Sequence, residues 1–163
     1  IRIILINDKQ EILLMCIEDK KTTSVAGVYN GPFWVLIGGG KVPGEDIKEA
    51  AFRELYEETG LSKEDVELGP IVWLSEVHMV LAGRPSHIKD SYIVAKLKNN
   101  IRGISEENFT DWEKEVVRKM EWFSIDEIRK ITAPVYPEGL ASCLPDILQG
   151  QYPEEPVLLY KKK

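Results

Sequence analysis

The pattern of apolar positions predicts strands at the start of the chain. Residues 1–7 and 11–18 are apolar runs rich in β-branched side chains, and the polar residues between them have the composition of a turn. This pattern predicts a β-hairpin. A polar loop over residues 19–32 leads to a third short apolar run, residues 33–37, which predicts another strand. The glycines at 38–40 follow directly, and such a cluster lets the backbone approach a ligand closely.

A helix is predicted over residues 47–59. Asp46 suits the N-cap position, and Glu49 three residues later completes a capping-box pattern. At the other end, Gly60 followed by Leu61 has the composition of a left-handed C-cap with its apolar contact. The start and the end of this element are therefore both encoded locally.

The second half of the chain combines strand patterns with two helix patterns. Strands are predicted over residues 66–82, 87–97 and 116–123. A short helix is predicted to begin at Ser124, and a last helix covers residues 138–148. Because strands and helices mix without a regular alternation, we expect an α/β fold in which helices flank a mixed β-sheet.

The length and composition fit one globular domain. The chain has 163 residues, of which 44% are apolar and 29% are charged. We assign residues 1–152 to a single domain and residues 153–163 to a C-terminal tail. No apolar run approaches the roughly 20 residues of a membrane span, and no signal-peptide pattern opens the chain. We therefore expect a cytoplasmic protein without a membrane partner. Because the sequence begins at Ile1 inside an apolar run, we also expect its natural start to lie upstream.

The charge and the metal-binding side chains restrict the ligands. A formal charge of −6 argues against broad nucleic-acid binding, because such binding depends on lysines and arginines that neutralise phosphates. Cys16 and Cys143 are predicted to be free thiols, and with only His78 and His87 besides, the sequence predicts no zinc cluster. A ligand that carries phosphates would need a bound metal to neutralise its charge.

Three glutamates near the end of the predicted helix extend its apolar face. Glu54, Glu57 and Glu58 stand at i, i+3 and i+4, and at about 100° per residue they fall within about 80° of Ile47. Burial, mutual repulsion and the helix dipole all disfavour carboxylates there, and a divalent cation would turn that penalty into binding energy. Oxygen-only ligands favour Mg²⁺ or Mn²⁺. The alternative is a structural ion-pair network with Arg53.

The stretch over residues 39–61 resembles the Nudix box. It reads G-x5-E-x7-R-E-L-x-E-E-x-G-L. Every defining position is present: Gly39, Glu45, Arg53, Glu54, Leu55, Glu57, Glu58, Gly60 and Leu61. Residues 121–127 are also similar to a strand-to-helix passage that many family members carry, whereas Ile37 stands where many members have proline. The resemblance implies the family fold, an α/β/α sandwich around a mixed sheet.

The resemblance also implies a metal site on the predicted helix. Glu57 and Glu58 would coordinate Mg²⁺ or Mn²⁺, and Glu54 would be a further ligand or a base. The carbonyl of Gly38 would complete the metal shell.

Further residues would support that site. The resemblance implies that Arg53 and Glu45 orient the helix and the loop before it. Family members often add a carboxylate from outside the box, and the candidates are Glu115, Glu113 and Glu76. Of these, Glu115 precedes the late strand where such a residue tends to lie, although acidic loop residues are usually solvated.

The reaction implied by the resemblance is metal-dependent hydrolysis of a phosphoanhydride bond in a nucleoside diphosphate linked to another moiety. A small-molecule nucleotide is the expected partner, with a nucleoside triphosphate as the default substrate. Phe33, Trp34, Trp73 and Trp112 are candidates to stack a base, although aromatic residues on strands are more often core.

Two other functions and one assembly stay open from the sequence. The first is a non-catalytic nucleotide-sensing module, which the complete box disfavours. The second is a prenyl diphosphate isomerase, which is disfavoured because neither Cys16 nor Cys143 stands in a recognisable catalytic setting. A homodimer is compatible with the chain, because exposed apolar surface alone does not identify a dimer face.

Overall fold

The computed structural model, which describes residues 1–98 and 103–163, is built on an eight-stranded mixed β-sheet. In chain order the strands are β1 (Arg2–Ile6), β2 (Ile12–Ile17), β3 (Phe33–Gly38), β4 (Val66–Leu81), β5 (Arg84–Leu97), β6 (Val117–Phe123), β7 (Val135–Tyr136) and β8 (Val157–Lys162). They follow the order β6-β2-β3-β1-β5-β4-β8, and β7 pairs with β3. The pairs β1–β5, β3–β7 and β4–β8 are parallel and the others are antiparallel.

Within the ranges 1–98 and 103–163, four helices cover the two faces of the sheet. They are α1 (Ile47–Thr59), α2 (Asp111–Val116), α3 (Ile125–Lys130) and α4 (Leu140–Leu148). Leu55 of α1 packs in one core cluster, whereas Ile128 of α3 and Leu144 of α4 pack in the other. The predicted α/β/α arrangement is therefore confirmed. None of the helices in the described residues is long and apolar enough to cross a membrane.

The two core clusters explain why the first two strands are apolar at almost every position. In β1, Ile4 and Ile6 belong to the cluster beneath α3 and α4, whereas Ile3 and Leu5 belong to the cluster beneath α1. Side chains of a strand point alternately to the two faces of its sheet. Because helices cover both faces, both sets of side chains must be apolar.

Helix α1 begins and ends where its sequence predicts. Asp46 accepts a hydrogen bond of 2.8 Å from the backbone N–H of Glu49, and the Glu49 side chain accepts one of 2.8 Å from the backbone of Asp46. Gly60 has a φ of 74° and donates to the carbonyl of Tyr56 at 2.9 Å. A side chain at position 60 would be strained in this conformation, so glycine ends the helix at low cost.

The C-terminal segment differs from the prediction. Residues Val157–Lys162 form β8, which pairs with β4 through Trp73↔Val157 and Leu74↔Leu158. The assignment of residues 153–163 to a tail is therefore wrong for this strand. The sequence did not predict this strand because lysines follow its short apolar run. Exposed charged residues are typical of edge strands as well as of tails.

Candidate active site

Helix α1 carries three glutamates that we call the carboxylate cluster: Glu54, Glu57 and Glu58. Glu54 is 6% exposed and Glu58 is 3% exposed, on the same helix face as the buried Ala50 and Ala51. Glu57 is half-buried. The prediction that these carboxylates continue the apolar face is therefore confirmed for Glu54 and Glu58.

Burial raises the pKa of two members of the carboxylate cluster. The pKa of Glu58 lies well above its usual value because of burial, although the N–H of Gly38 donates to Oε2 of Glu58 at 2.7 Å and opposes the shift. Burial also raises the pKa of Glu54, against a hydrogen bond from Arg53. Negative charges of Glu54 and Glu113 raise the pKa of Glu58 further. The fold thus holds acidic groups together where their charged forms are costly.

The two glycines after Gly38 differ in how closely they approach the carboxylate cluster. A Cβ at Gly39 would lie 2.7 Å from Cδ of Glu54, which is closer than such atoms come in proteins. A Cβ at Gly40 would meet nothing within 4 Å. Gly39 therefore provides the space that the Glu54 carboxylate occupies. The carbonyl of Gly38 accepts a hydrogen bond of 3.5 Å from Arg2, and its role as a metal ligand stays a prediction.

Arg53 joins the helix to the loop before it. Its Nε donates to Oε1 of Glu45 at 2.7 Å, and its Nη2 donates to the carbonyl of Gly40 at 2.8 Å. Its Nη1 donates to Glu54 at 2.9 Å and to Glu57 at 3.1 Å. The hydrogen bond with Glu45 is the main cause that raises the pKa of Arg53, and the same bond lowers the pKa of Glu45. The geometry fits the orienting role predicted for both residues.

The donor set of the carboxylate cluster fits a divalent cation. Carboxylate oxygens are the ligands that Mg²⁺ and Mn²⁺ prefer. Two of the glutamates are buried and repel each other, and Glu113 adds a third buried acid nearby. A cation bound among these oxygens would offset both the repulsion and the lost hydration.

Of the two candidates on α2, Glu113 approaches the carboxylate cluster and Glu115 does not. Glu113 is buried in α2 and lines a cavity together with Glu58. Glu115 is exposed, and its backbone carbonyl accepts a hydrogen bond from Arg118 at 3.1 Å. The preference for Glu115 is corrected because α2 turns position 113 inward and position 115 outward. The Thr110–Glu113 capping box was a sequence signal for this helix.

The aromatic candidates divide between the core and the surface. Trp34 packs edge-on against Phe123 with ring centroids 4.9 Å apart, and Trp73 packs beside Tyr92. Both tryptophans are buried in the core cluster beneath α3 and α4, so their predicted role in substrate binding is corrected. Phe33 and Trp112 line cavities instead, and Trp112 is 41% exposed. They stay candidates for base stacking.

Two adjoining cavities form a cleft beside the carboxylate cluster. The first has a volume of about 490 Å³ and is lined by Tyr92, Tyr136 and Tyr160. The second has a volume of about 610 Å³ and is lined by Glu58, Glu113 and the glycine loop, by which we mean residues 38–40. They share a wall that includes Arg2, Phe33, Val35, Ile88 and Asp90. The sequence did not reveal the tyrosines, because three distant segments contribute one each.

The remaining carboxylate candidate, Glu76, belongs to another group of side chains. Oε1 of Glu76 lies 2.7 Å from Nε2 of His87, and Oε2 lies 3.0 Å from Nζ of Lys161. The rings of His78 and His87 are stacked 4.1 Å apart. We call Glu76, His78 and His87 the hairpin cluster. Counting histidines and cysteines along the sequence did not predict this group, because strand pairing brings its members together.

Comparisons with known proteins agree with the box and the fold. The profile of the NUDIX domain matches residues 1–143. Among curated proteins, the human diphosphoinositol polyphosphate phosphohydrolase 3-alpha is 28% identical over 140 residues, which are 81% of this chain and 76% of that protein.

Solved structures share the fold at lower identity. A NUDIX hydrolase from Nitrosomonas europaea is 22% identical with a TM-score of 0.58, over 93% of this chain and 88% of that one. The C. elegans Ap4A hydrolase is 22% identical with a TM-score of 0.50, over 80% and 82% of the two chains. With a profile match over most of its length, a complete box and the shared fold, the chain belongs to the NUDIX domain family and is a Nudix hydrolase.

Proposed function

We propose that the chain hydrolyses a phosphoanhydride bond in a nucleoside diphosphate derivative, with nucleoside triphosphates as its substrate class and Mg²⁺ or Mn²⁺ as its cofactor. The observation that carries this proposal is the cleft, in which an aromatic cavity adjoins a cavity lined by acidic residues. The first suits a base and the second suits a metal-bound diphosphate. A small nucleotide substrate of this kind also fits the predicted cytoplasmic location.

The carboxylate cluster would hold the cation. Glu57 and Glu58 are the proposed ligands, with Glu54 as a further ligand, because the three residues stand at helical spacing on one side of α1. When bound, the cation would neutralise the diphosphate and lower the pKa of water. Arg53 and Glu45 would keep the glutamates in place by joining α1 to the glycine loop.

Glu113 is the proposed carboxylate from outside the box. In the reaction a water oxygen bonds to phosphorus, the bond from that phosphorus to the bridging oxygen breaks, and pyrophosphate and a nucleoside monophosphate are released. The water loses a proton in this step, and a carboxylate at the wall of the second cavity can accept it. Glu113 lines that wall, whereas Glu115 is exposed.

The first cavity supports binding of a base. Its volume of about 490 Å³ lies within the usual range for small-molecule sites. Phe33 stands on the wall that both cavities share, and its ring meets that of Tyr136 edge-on at 5.8 Å. A planar base can stack on such rings without a specific hydrogen-bond pattern. The proposal therefore specifies a nucleotide and leaves the choice of base to the experiment.

A diphosphoinositol polyphosphate is the second candidate substrate, because it appears in the name of the curated relatives. Such a ligand has many phosphates and no aromatic ring, so it needs many cationic partners. Five basic residues line the cleft: Arg2, Lys41, Lys89, Lys162 and Lys163. Arg2 pairs with Asp90 at 3.2 Å and Lys162 pairs with Glu138. We favour the nucleotide because its base can stack on the rings of the tyrosine-lined cavity, whereas an inositol phosphate has no ring of this kind.

The test is a substrate panel at fixed Mg²⁺ or Mn²⁺, with products identified by chromatography. It contains canonical and oxidised nucleoside triphosphates, nucleotide sugars, ADP-ribose, dinucleoside polyphosphates, a prenyl diphosphate and a diphosphoinositol polyphosphate. We expect a nucleoside triphosphate to give the highest kcat/KM, with no turnover in a chelator. Tight binding without cleavage of any member would favour a nucleotide sensor instead.

Two substitutions test the residue assignments. Glu57→Gln should lower kcat by roughly 10³-fold or more, because it removes a ligand charge without changing the shape of the side chain. Glu113→Gln should lower kcat by roughly 100-fold with an unchanged melting temperature, because an amide oxygen still accepts from Thr110 but cannot act as a base. Glu115→Gln is the matched control, and its activity should equal that of the wild type.

A further inference from the structure

We propose that the hairpin cluster of Glu76, His78 and His87 binds a transition-metal cation of the Zn²⁺ class at a second site. This site lies on the β4–β5 hairpin, and its ligands come from outside the Nudix box. The proposal goes beyond the proposed function and does not depend on it. It rests on strand register, donor geometry and donor chemistry.

Strand register brings the three ligands to one face of the sheet. His78 of β4 stands directly opposite His87 of β5 in the antiparallel ladder. Glu76 precedes His78 by two residues, and residues at this spacing point to the same face. Side chains directly opposite each other have Cβ atoms about 5 Å apart. The backbone therefore sets the three side chains within reach of one ion.

The side chains are close to a coordinating arrangement. One ligand atom of each residue lies within 4.8 Å of the other two. Zn²⁺ binds imidazole nitrogen at about 2.0–2.1 Å, so donors in a tetrahedral shell lie about 3.4 Å apart. The Glu76–His87 distance of 2.7 Å is already below this value. Both histidines are exposed, so rotation of their side chains can close the remaining gap.

An ordinary ion pair accounts for two members of the hairpin cluster, Glu76 and His87, but not for His78. The contact between Glu76 and His87 satisfies both of those side chains. The ring of His78 stacks on that of His87, with the two ring planes within 5° of each other. Two stacked imidazoles beside a carboxylate place two nitrogen ligands and one oxygen ligand together. A shared cation would use all three residues once rotation of the stacked rings turns their nitrogens toward one point.

The donor chemistry selects the class of metal. Two nitrogens and one oxygen suit Zn²⁺, Co²⁺ or Ni²⁺, whereas Mg²⁺ prefers oxygen ligands alone. The exposed histidines leave a further coordination position open to solvent. This combination of three protein ligands with one open position is typical of accessible zinc sites.

The experiment measures Zn²⁺ binding to the full chain by competition with a chromophoric chelator, with excess Mg²⁺ present to occupy the carboxylate cluster. We expect one Zn²⁺ per chain, and Co²⁺ should give the absorption bands of a tetrahedral complex. His78→Gln and His87→Gln should each weaken binding by roughly tenfold or more, as should Glu76→Gln. Each variant alters a side chain on the hairpin rather than a core packing residue.

Two controls make the result specific. Ser86→Ala changes the neighbour of His87 on the opposite face of β5, and it should leave Zn²⁺ affinity unchanged. Glu57→Gln should abolish hydrolysis but keep the hairpin site, so the two proposals fail separately. The inference is overturned if the wild type shows no stoichiometric Zn²⁺ binding in excess Mg²⁺. It is also overturned if His78→Gln and His87→Gln bind Zn²⁺ as tightly as the wild type does.

Discussion

The carboxylate cluster on α1 and the hairpin cluster on β4 and β5 each place three candidate ligand residues on one face of the structure, but by different means. The first uses helical spacing, offers oxygen atoms alone and is mostly buried. The second uses cross-strand register, offers two nitrogens and one oxygen, and is mostly exposed. A basic side chain contacts each group, Arg53 in the first and Lys161 in the second.

The two clusters differ in burial and in the atoms they offer as ligands, and these differences predict which metal each would bind. Buried carboxylates are costly without a cation, so the carboxylate cluster would gain most from a hard divalent ion. Exposed imidazoles cost little without a metal, so the proposed hairpin site would contribute little to folding and would select softer metals. Substitutions that change the charge, the space or the ligand atoms at either cluster test this difference.

The largest expected effect on stability comes from replacing Arg53, which contacts Glu54 and Glu57 of the carboxylate cluster. Arg53→Ala removes its hydrogen bonds to Glu45, Glu54 and Glu57 and leaves their charges unbalanced. We expect a loss of about 3 kcal/mol in the free energy of unfolding, typical of breaking a partly buried charge pair. Activity should fall by roughly 100-fold or more because the glutamates lose their orientation.

Arg129→Ala is the control for that variant. Arg129 makes an exposed pair with Asp126 at 3.0 Å, and such pairs contribute about 1 kcal/mol or less. Chemical denaturation and initial-rate kinetics measure both variants. Equal effects at positions 53 and 129 would contradict the central role given to Arg53.

The second expected effect concerns the space beside Glu54. Gly39→Ala places a Cβ 2.7 Å from Cδ of Glu54, so the carboxylate or the loop must move. We expect kcat to fall by roughly 10- to 100-fold, because small displacements of a catalytic group have large effects. Gly40→Ala meets nothing within 4 Å and should keep nearly full activity. Steady-state kinetics of the two variants decide whether close approach at position 39 matters.

The third expected effect is on stability without metal. Glu58→Gln removes a buried charge that is repelled by Glu54, while its amide oxygen can still accept from the N–H of Gly38. With a chelator present, the free energy of unfolding of this variant should be about 1 kcal/mol higher than that of the wild type. Added Mg²⁺ should raise the melting temperature of the wild type but not of the variant. A destabilised variant in the chelator would show that the glutamate is a structural partner.

The smallest expected effect concerns Lys161. Lys161→Met removes a charge that lies 3.0 Å from Glu76 and repels a cation at the hairpin cluster. Because the lysine is exposed, the change is worth less than about 1 kcal/mol, which corresponds to a gain of a few-fold in Zn²⁺ affinity. Competition with a chelator measures this gain. A weaker affinity would mean that Lys161 orients Glu76 rather than competing with the metal.

The sequence predicted features that depend on local spacing. Asp46, Glu49 and Gly60 define α1 through interactions within one turn of helix, so its limits were predictable. The burial of Glu54 and Glu58 followed from the same helical periodicity. The alternation between two core clusters likewise explains the apolar runs of β1 and β2.

Features that depend on distant pairing were not predictable in the same way. The hairpin cluster requires the register between His78 and His87, which neither strand specifies alone. Strand β8 pairs with β4, which lies about 80 residues earlier in the chain, and its own short apolar run does not specify that partner. Glu113 differs, since the Thr110 capping box marked α2 and the helical spacing then distinguishes position 113 from position 115.

The most direct test of the account is a crystal structure with Mn²⁺ and a non-hydrolysable nucleoside triphosphate, using anomalous scattering to locate the metal. We expect anomalous density among the oxygens of Glu54, Glu57 and Glu58, next to the phosphates, with the base in the tyrosine-lined cavity. Carboxylates that stay bound to Arg53 and Gly38 while the Mn²⁺ and the phosphates lie elsewhere would contradict the proposed metal site.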